Sequence, residues 1–212
     1  MKKVLFIQPH SDDILLSCFS KLSEEGIIPT ILTVEFDEKR IKEDEKLKQF
    51  FPMINIIAGV KISDNSYSTY YKNPHQKFIP ELVFQTIDES LGDTIFDISD
   101  IIATVIDGED WDEIYTCMGV GHPLHWLVHE LTKNDATHFY RDWPHSYKKR
   151  NSAFFDAYSK ENFDFIEELG GDDQKEMKIE LVKQCYKSQS SLMYFEQGNV
   201  EKHFSEKFYK SK

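Results

Sequence analysis

The chain has 212 residues, of which 40% are hydrophobic and 14% aromatic, so it is long and apolar enough to fold around a buried core. Its 25 basic and 37 acidic side chains give a formal net charge of -12, which argues against nucleic acids or anionic membranes as general partners, since both bind basic surfaces. The three cysteines are widely spaced and form no CxxC pair, so neither a disulfide framework nor a cysteine zinc site is indicated. The first apolar run is too short for a signal peptide or a membrane span, and we expect a cytoplasmic protein without one.

The first quarter of the chain alternates strand and helix patterns. Short apolar runs flanked by polar residues predict strands at 4–7, 27–34 and 54–60, and helical spacing predicts helices at 14–22 and 37–51. Strands that alternate with helices in this way indicate a parallel sheet.

Residues 61–80 interrupt this alternation. They are polar and carry Tyr67, Tyr70, Tyr71 and Phe78. A loop of this length inside a compact domain is often functional. A surface excursion and a loop that lines a substrate site both remain open at this stage.

The remainder of the chain continues the alternation. The patterns predict a helix at 81–105 with a break at Gly92, a strand at 111–118, a helix from Pro123, a strand at 137–140, and helices at about 146–160 and 173–195, with an acidic turn at 170–173 between the last two. His129 lies one helical turn from His125 and could donate a hydrogen bond behind the site, but a solvated histidine is the favoured interpretation. The sequence shows no internal repeat or linker. We therefore expect one domain over 1–212, a Rossmann-like α/β fold with a mainly parallel sheet and helices on both faces.

Two of the predicted strand-to-helix turns carry histidine and aspartate. The turn after the first strand contains His10, Asp12 and Asp13, and the turn before the helix from Pro123 contains His122 and His125. In a parallel sheet both turns lie at the carboxyl edge, where α/β proteins bind ligands.

Together these side chains offer the donor set of a metal site. Two imidazoles and one carboxylate are a common three-ligand set for catalytic zinc, with a fourth position left for water. Taken singly, the aspartates could cap a helix and the paired histidines could be surface residues. Their combination at one edge of one sheet favours the metal site, and it leaves one carboxylate and one imidazole for proton transfer.

The same two turns resemble those of a known family, the PIG-L/LmbE-like zinc-dependent de-N-acetylases. The residues His10 to Asp13 are similar to the HPDD element of that family, and Gly121 to His125 are similar to its GHPDH element. Softer matches follow the family order along the chain: Arg40 to Glu43 for an RxxE on the second helix, Ser63 to Asn65 for a loop after the third strand, Tyr140 to Pro144 for YEDxP, and Tyr186 to Gln189 for YxSQ.

The resemblance implies a role for each residue of the two turns. His10, Asp13 and His125 would bind Zn²⁺ or another divalent metal. Asp12 would be the general base, and His122 would stabilise the oxyanion or protonate the leaving amine.

The resemblance also implies the class of substrate. Arg40 and Asp64 match positions with which the family holds sugar hydroxyls, although each could equally be a surface charge. The substrate would be a small N-acylated amino sugar or glycoconjugate of the N-acetylglucosamine type, and the products would be acetate and a free amine.

The chain departs from the family pattern at three positions. Ser11 replaces a proline, Ile14 replaces a glutamate, and Leu124 replaces the aspartate between the two histidines. A leucine cannot orient an imidazole, and such outer carboxylates affect both metal affinity and rate. We therefore hypothesise that Asp142 takes over this task, or that His122 works with a lowered pKa.

Two further functions stay open, and the departures at Leu124 and Ile14 suggest the second of them. One is an amidase that acts on a thiol-sugar conjugate or on a longer N-acyl group. The other is a sugar-binding or regulatory protein that retains the metal and turns over little substrate.

Overall fold

The structure is a computed structural model, and it describes residues 1–36, 38–62, 78–170, 172–186 and 205–212. The strands of these ranges form one seven-stranded sheet of order β3-β2-β1-β4-β5-β7-β6. The strands are β1 (Lys2–Gln8), β2 (Ile27–Phe36), β3 (Asn55–Lys61), β4 (Glu113–Cys117), β5 (His138–Tyr140), β6 (Phe163–Leu169) and β7 (Glu206–Ser211).

Helices cover both faces of this sheet, which confirms the predicted fold class. They are α1 (Asp13–Ser17), α2 (Phe19–Leu22), α3 (Glu38–Phe50), α4 (Pro80–Leu91), α5 (Thr94–Asp107), α6 (Pro123–Thr132), α7 (Lys149–Asn162) and α8 (Asp172–Cys185), with a 3₁₀ turn at His145–Tyr147. Among the described helices, none is long and apolar enough to cross a membrane.

The parallel part of the sheet consists of β1 to β5. β1 pairs in parallel with both β2 and β4, and its residues from Val4 to Gln8 are all buried. A strand that is covered on both faces has a continuous apolar sequence instead of alternating apolar and polar residues. This is why the sequence predicted β1 correctly.

Chain order reverses around β1, since β2 lies on one side of it and β4 on the other. The connections that follow these strands lead away in opposite directions. A crevice therefore opens at their carboxyl ends, the usual ligand position in such sheets. The two turns that carry histidine and aspartate follow β1 and β4 and both border this crevice.

Three details of the predicted elements were wrong. The strands β6 and β7, which form the antiparallel edge of the sheet, were not predicted, and residue 170 follows β6 instead of joining two helices. The predicted helix at 14–22 is two short helices, because α1 ends at Cys18, whose φ of -138° is not helical.

The loop predicted at 61–80 lies largely outside the described residues, and so does Asp64. Phe78, near its end, is buried and packs on Trp126 and Phe154 with ring centroids 5.3 and 5.0 Å away. Phe78 is thus part of the hydrophobic core.

Candidate metal centre

A buried glutamine sets the shape of the turn between β1 and α1. The Gln8 side-chain oxygen accepts a hydrogen bond from the Ile14 N–H at 2.9 Å, and its amide donates to Thr33 Oγ1 at 2.8 Å. Asp12 occupies the N-cap position of α1 but makes no capping hydrogen bond with its side chain. Since Gln8 satisfies the helix start, the carboxylate of Asp12 is not used as a cap.

Three donor atoms from the two turns converge on one point. His10 Nδ1 lies 3.0 Å from His125 Nε2, and Asp13 Oδ2 lies 3.4 Å from the first and 3.3 Å from the second. We call these atoms the donor triangle. A tetrahedral zinc ion with bonds of about 2.0–2.1 Å separates its ligands by roughly 3.3 Å, so the triangle has the dimensions of one face of a zinc site.

The outer nitrogen of each imidazole in the triangle contacts a carboxylate. His10 Nε2 lies 3.0 Å from Glu35 Oε2, and His125 Nδ1 lies 2.7 Å from Asp142 Oδ1, with both of the latter side chains fully buried. Such carboxylates fix the orientation and tautomer of metal-binding histidines and raise their basicity. Leu124 is itself buried in the core, and the carboxylate on His125 comes instead from the end of β5.

The electrostatics of the triangle favour positive charge. Burial lowers the pKa of His10, but its hydrogen bonds to Asp13 and Glu35 outweigh burial and raise this pKa to about 10. Burial raises the pKa of Asp13, but His125 and His10 outweigh it, and the net shift is downward. The carboxylates that raise the pKa of His10 would also attract a metal cation, and binding of the metal would displace the proton from His10.

Asp12 lies beside the triangle and pairs with an arginine. Arg40 Nη1 is 3.1 Å from Asp12 Oδ1. Burial and the neighbouring Asp13 raise the pKa of Asp12, and Arg40 partly offsets them. Arg40 thus contacts the residue predicted to be the base.

His122 is the N-cap residue of α6, and its hydrogen bond fixes its tautomer. Its Nδ1 accepts from the Leu124 N–H at 3.2 Å, so a neutral ring carries its proton on Nε2. Burial, followed by the charges of His10 and His125, lowers the pKa of His122 well below its ordinary value. The ring is therefore a neutral N–H donor.

A close backbone approach precedes His122. Gly121 has a φ of +105°, and a Cβ at this position would lie 2.9 Å from the His145 carbonyl oxygen and closer still to Asn151 Nδ2. The glycine allows the turn after β4 to pack against the start of α7.

Two other groups of side chains bring possible ligand atoms together among the described residues. In one, His122 joins His10 and His125; in the other, Cys117 joins His125 and Asp142. The second group has an ordinary explanation, because burial raises the pKa of the Cys117 thiol well above its usual value and the thiol donates to the His125 carbonyl oxygen at 3.3 Å. The first group differs from the donor triangle by His122 in place of Asp13, and it is a genuine rival.

Known proteins resemble this chain in fold but not in sequence. No protein-family model matches the sequence, and no curated protein matches it. The chain shares its fold with solved deacetylases. The zinc-inhibited form of the teicoplanin deacetylase Orf2 aligns at 17% identity and a TM-score of 0.62, over 99% of this chain and 97% of that one. A deacetylase–teicoplanin complex aligns at 16% identity and the same TM-score, over 99% and 98%. At such identities the likeness concerns the fold.

The structure adds residues that the sequence did not indicate. Glu35 carries no motif, although it stands near the carboxyl end of β2, beside the first turn. His145 follows β5, and its ring centroid lies 5.0 Å from that of His122 and 4.8 Å from that of His125. His145 stands alone after Pro144 in the sequence, outside any motif of metal-ligand residues, so the sequence gave no reason to assign it to the site.

The interpretation of His129 as a solvated histidine was wrong. Its side chain is fully buried. Its Nδ1 lies 2.9 Å from the Cys117 carbonyl oxygen, to which it donates, and its Nε2 lies 2.7 Å from the hydroxyl of Tyr158, from which it accepts. His129 thus joins α6 to the end of β4, beneath the donor triangle.

Proposed function

We propose that this protein is a zinc-dependent hydrolase that removes an N-acetyl or other N-acyl group from a small substrate of the N-acetylglucosamine type. The observation that carries the proposal is the donor triangle, in which each imidazole has a carboxylate on its outer nitrogen. The shared fold supports it, because both similar structures are deacetylases and one of them is described as a zinc-inhibited form.

In this proposal His10, Asp13 and His125 hold the metal. A bound Zn²⁺ would supply an activated water and polarise the acyl carbonyl. Three protein side chains perform the remaining tasks. Asp12 accepts the proton of the attacking water and delivers it to the leaving amine nitrogen as the C–N bond breaks. Arg40 keeps the Asp12 carboxylate oriented and charged.

His122 acts on the acyl oxygen. Because its Nδ1 accepts from the Leu124 N–H, the ring carries its proton on Nε2, and this N–H donates to the oxygen as negative charge develops there. Of the two roles that the sequence left open for His122, this hydrogen bond favours oxyanion stabilisation over protonation of the amine.

Acetate release tests the proposal. The zinc-loaded protein is incubated with a panel of N-acetylated amino sugars, and acetate is measured. We expect release from at least one of them, and loss of release in Asp12→Ala with zinc content unchanged, since Asp12 is outside the donor triangle.

The same experiment separates the alternatives. Release of a longer fatty acid or turnover of a thiol-sugar conjugate, without acetate release, would indicate the amidase. Full zinc occupancy with no turnover of any substrate would contradict the proposal and favour the binding protein. Asp142 argues against this last function, because it restores to His125 the carboxylate that Leu124 cannot supply.

A further inference from the structure

Four buried polar atoms of the described residues have no hydrogen-bond partner, and two of them, on Asp142 and His145, belong to residues that contact the histidines of the candidate metal centre. Within the described part of the chain they are Trp126 Nε1, Asp142 Oδ2, His145 Nδ1 and Asn151 Oδ1. A buried polar atom left without a hydrogen bond costs free energy, so each such atom in a folded protein calls for an explanation.

Among these atoms, His145 Nδ1 belongs to a ring that contacts two histidines of the proposed site. The His145 ring packs edge-on against the rings of both His122 and His125, at interplanar angles of 64° and 63°. Its carbonyl oxygen accepts from Asn151 Nδ2 at 2.8 Å, which fixes the backbone of this residue. The ring is thus packed between two histidines of the site, and its Nδ1 is buried and unpaired.

The proposed reaction leaves one polar atom of the scissile group without a partner. The carbonyl oxygen of an acylamino group would receive the Nε2–H of His122. The amide N–H of that group would then need an acceptor. A neutral imidazole with its proton on Nε2 offers its Nδ1 lone pair as an acceptor.

We propose that His145 is a further catalytic residue, which binds the substrate by accepting a hydrogen bond at Nδ1 from the N–H of the scissile acylamino group. This inference rests on the proposed function. It explains why a buried nitrogen is left unpaired in the free protein, and it gives the fourth imidazole of the site a role that neither metal binding nor oxyanion stabilisation uses.

Two substitutions separate substrate binding from packing. His145→Phe keeps an aromatic ring against His122 and His125 but has no nitrogen. His145→Asn gives up the ring but can place its side-chain oxygen near the position of Nδ1. His138→Phe is the matched control, since the His138 ring stacks on Tyr115 at 4.6 Å, away from the metal centre.

The readouts are kcat/KM for acetate release from N-acetylglucosamine, zinc content, melting temperature, and the Kd for N-acetylglucosamine measured by calorimetry in an Asp12→Ala background. In His145→Phe we expect about a tenfold fall in kcat/KM and a similar rise in Kd, the size of one neutral hydrogen bond. Zinc content should not change, and the melting temperature should stay equal or rise, because an unpaired buried atom has been removed. His145→Asn should recover part of the affinity, and His138→Phe should match the parent.

Unchanged activity and affinity in His145→Phe would overturn the inference and identify a packing residue. Loss of zinc in His145→Phe would overturn it as well, in favour of a role in metal binding. Failure of the proposed function is distinguishable, because the calorimetric arm needs no turnover. If the parent releases no acetate but His145→Phe still weakens binding, the His145 contact stands while the hydrolase does not.

Discussion

At the scale of single residues, Asp13 and His122 compete for one role. Either of them can complete a three-ligand set with His10 and His125. The geometry favours Asp13, because its Oδ2 lies within 3.4 Å of both imidazole nitrogens, whereas His122 has one nitrogen engaged with the backbone.

Zinc content decides between these two residues. We expect Asp13→Ala to purify with little or no zinc after dialysis, because the triangle loses one of its three donors. His122→Ala should retain a full equivalent and lose activity. The opposite result, with zinc lost only in His122→Ala, would assign the metal to the three histidines.

Asp142 contacts His125 and provides a carboxylate that Leu124 cannot. We expect Asp142→Asn to lower zinc affinity or kcat/KM by about 10–100-fold, since it removes the negative charge behind His125 while keeping an oxygen that can accept. Asp164→Asn, at an exposed position of β6, is the control. Wild-type zinc affinity and activity in Asp142→Asn would show that the carboxylate behind His125 is dispensable.

At the scale of elements, the turn between β4 and α6 depends on a glycine. Gly121 and Gly26 both have positive φ, +105° and +84°, but only Gly121 has neighbours within reach of a Cβ. Gly26→Ala should therefore lose only the cost of a left-handed backbone, about 1–2 kcal/mol. We expect Gly121→Ala to lose about 1–3 kcal/mol more from overpacking, and to lose acetate release because His122 is displaced.

Urea unfolding of both variants measures this difference. An equal loss of unfolding free energy in Gly121→Ala and Gly26→Ala would show that α7 can move away from the turn at no cost.

The sequence predicted some of the strands and missed others. Apolar runs in the sequence predict the buried parallel strands β1 and β2, and the turn that follows β1 carries the motif from His10 to Asp13. No such apolar run marks the edge strands β6 and β7. Most residues of β6 are exposed or partly buried, so its sequence lacks the apolar pattern of a buried strand. What defines them as strands is their pairing with each other across more than thirty residues of chain.

The sequence likewise predicted some residues of the candidate site and missed others. His10, Asp13 and His125 could be predicted because motifs mark them, and Asp142 because it ends a predicted strand near them. Glu35 and His145 could not, because their places at the site are set by tertiary packing. No spacing within the chain encodes the 5.0 Å between the rings of His145 and His122.

At the scale of the whole molecule, a buried carboxyl makes stability depend on pH. Burial raises the pKa of Asp44 from its ordinary value of 3.8 to about 7, while a hydrogen bond from the Tyr186 hydroxyl at 2.9 Å opposes the rise. Between these two values the folded protein binds a proton that the unfolded chain has released. The stabilising contribution of this proton is therefore complete below 3.8 and is lost as the pH rises through about 7.

Asp44→Asn tests this dependence. An amide can still accept from Tyr186 and does not ionise. We expect the variant to be more stable than the parent at pH 8 by a larger margin than at pH 5, in urea unfolding at both values. Asp164→Asn is the control, and a margin that does not grow with pH would refute the raised pKa.

Zinc should stabilise the entire fold. A ligand that binds only the folded state adds about 2.7 kcal/mol when its free concentration is 100 times its Kd. We expect a zinc-dependent rise in melting temperature that a chelator reverses and that Asp13→Ala lacks. Equal melting temperatures with and without zinc, at full occupancy, would mean that the ligands also hold zinc in the unfolded chain.

His10 and His125 are 115 positions apart in the chain, which has a consequence for how the protein is made. A ribosome adds roughly 5–20 residues per second, so His10 and Asp13 leave it roughly 6 to 23 seconds before His125, the third proposed ligand. Asp142, which sets the third ligand, follows later still. The nascent chain thus lacks the third proposed ligand for more than half of its synthesis, and we expect metal binding only after β5 has joined the sheet. Metal would then bind the folded protein rather than the nascent chain.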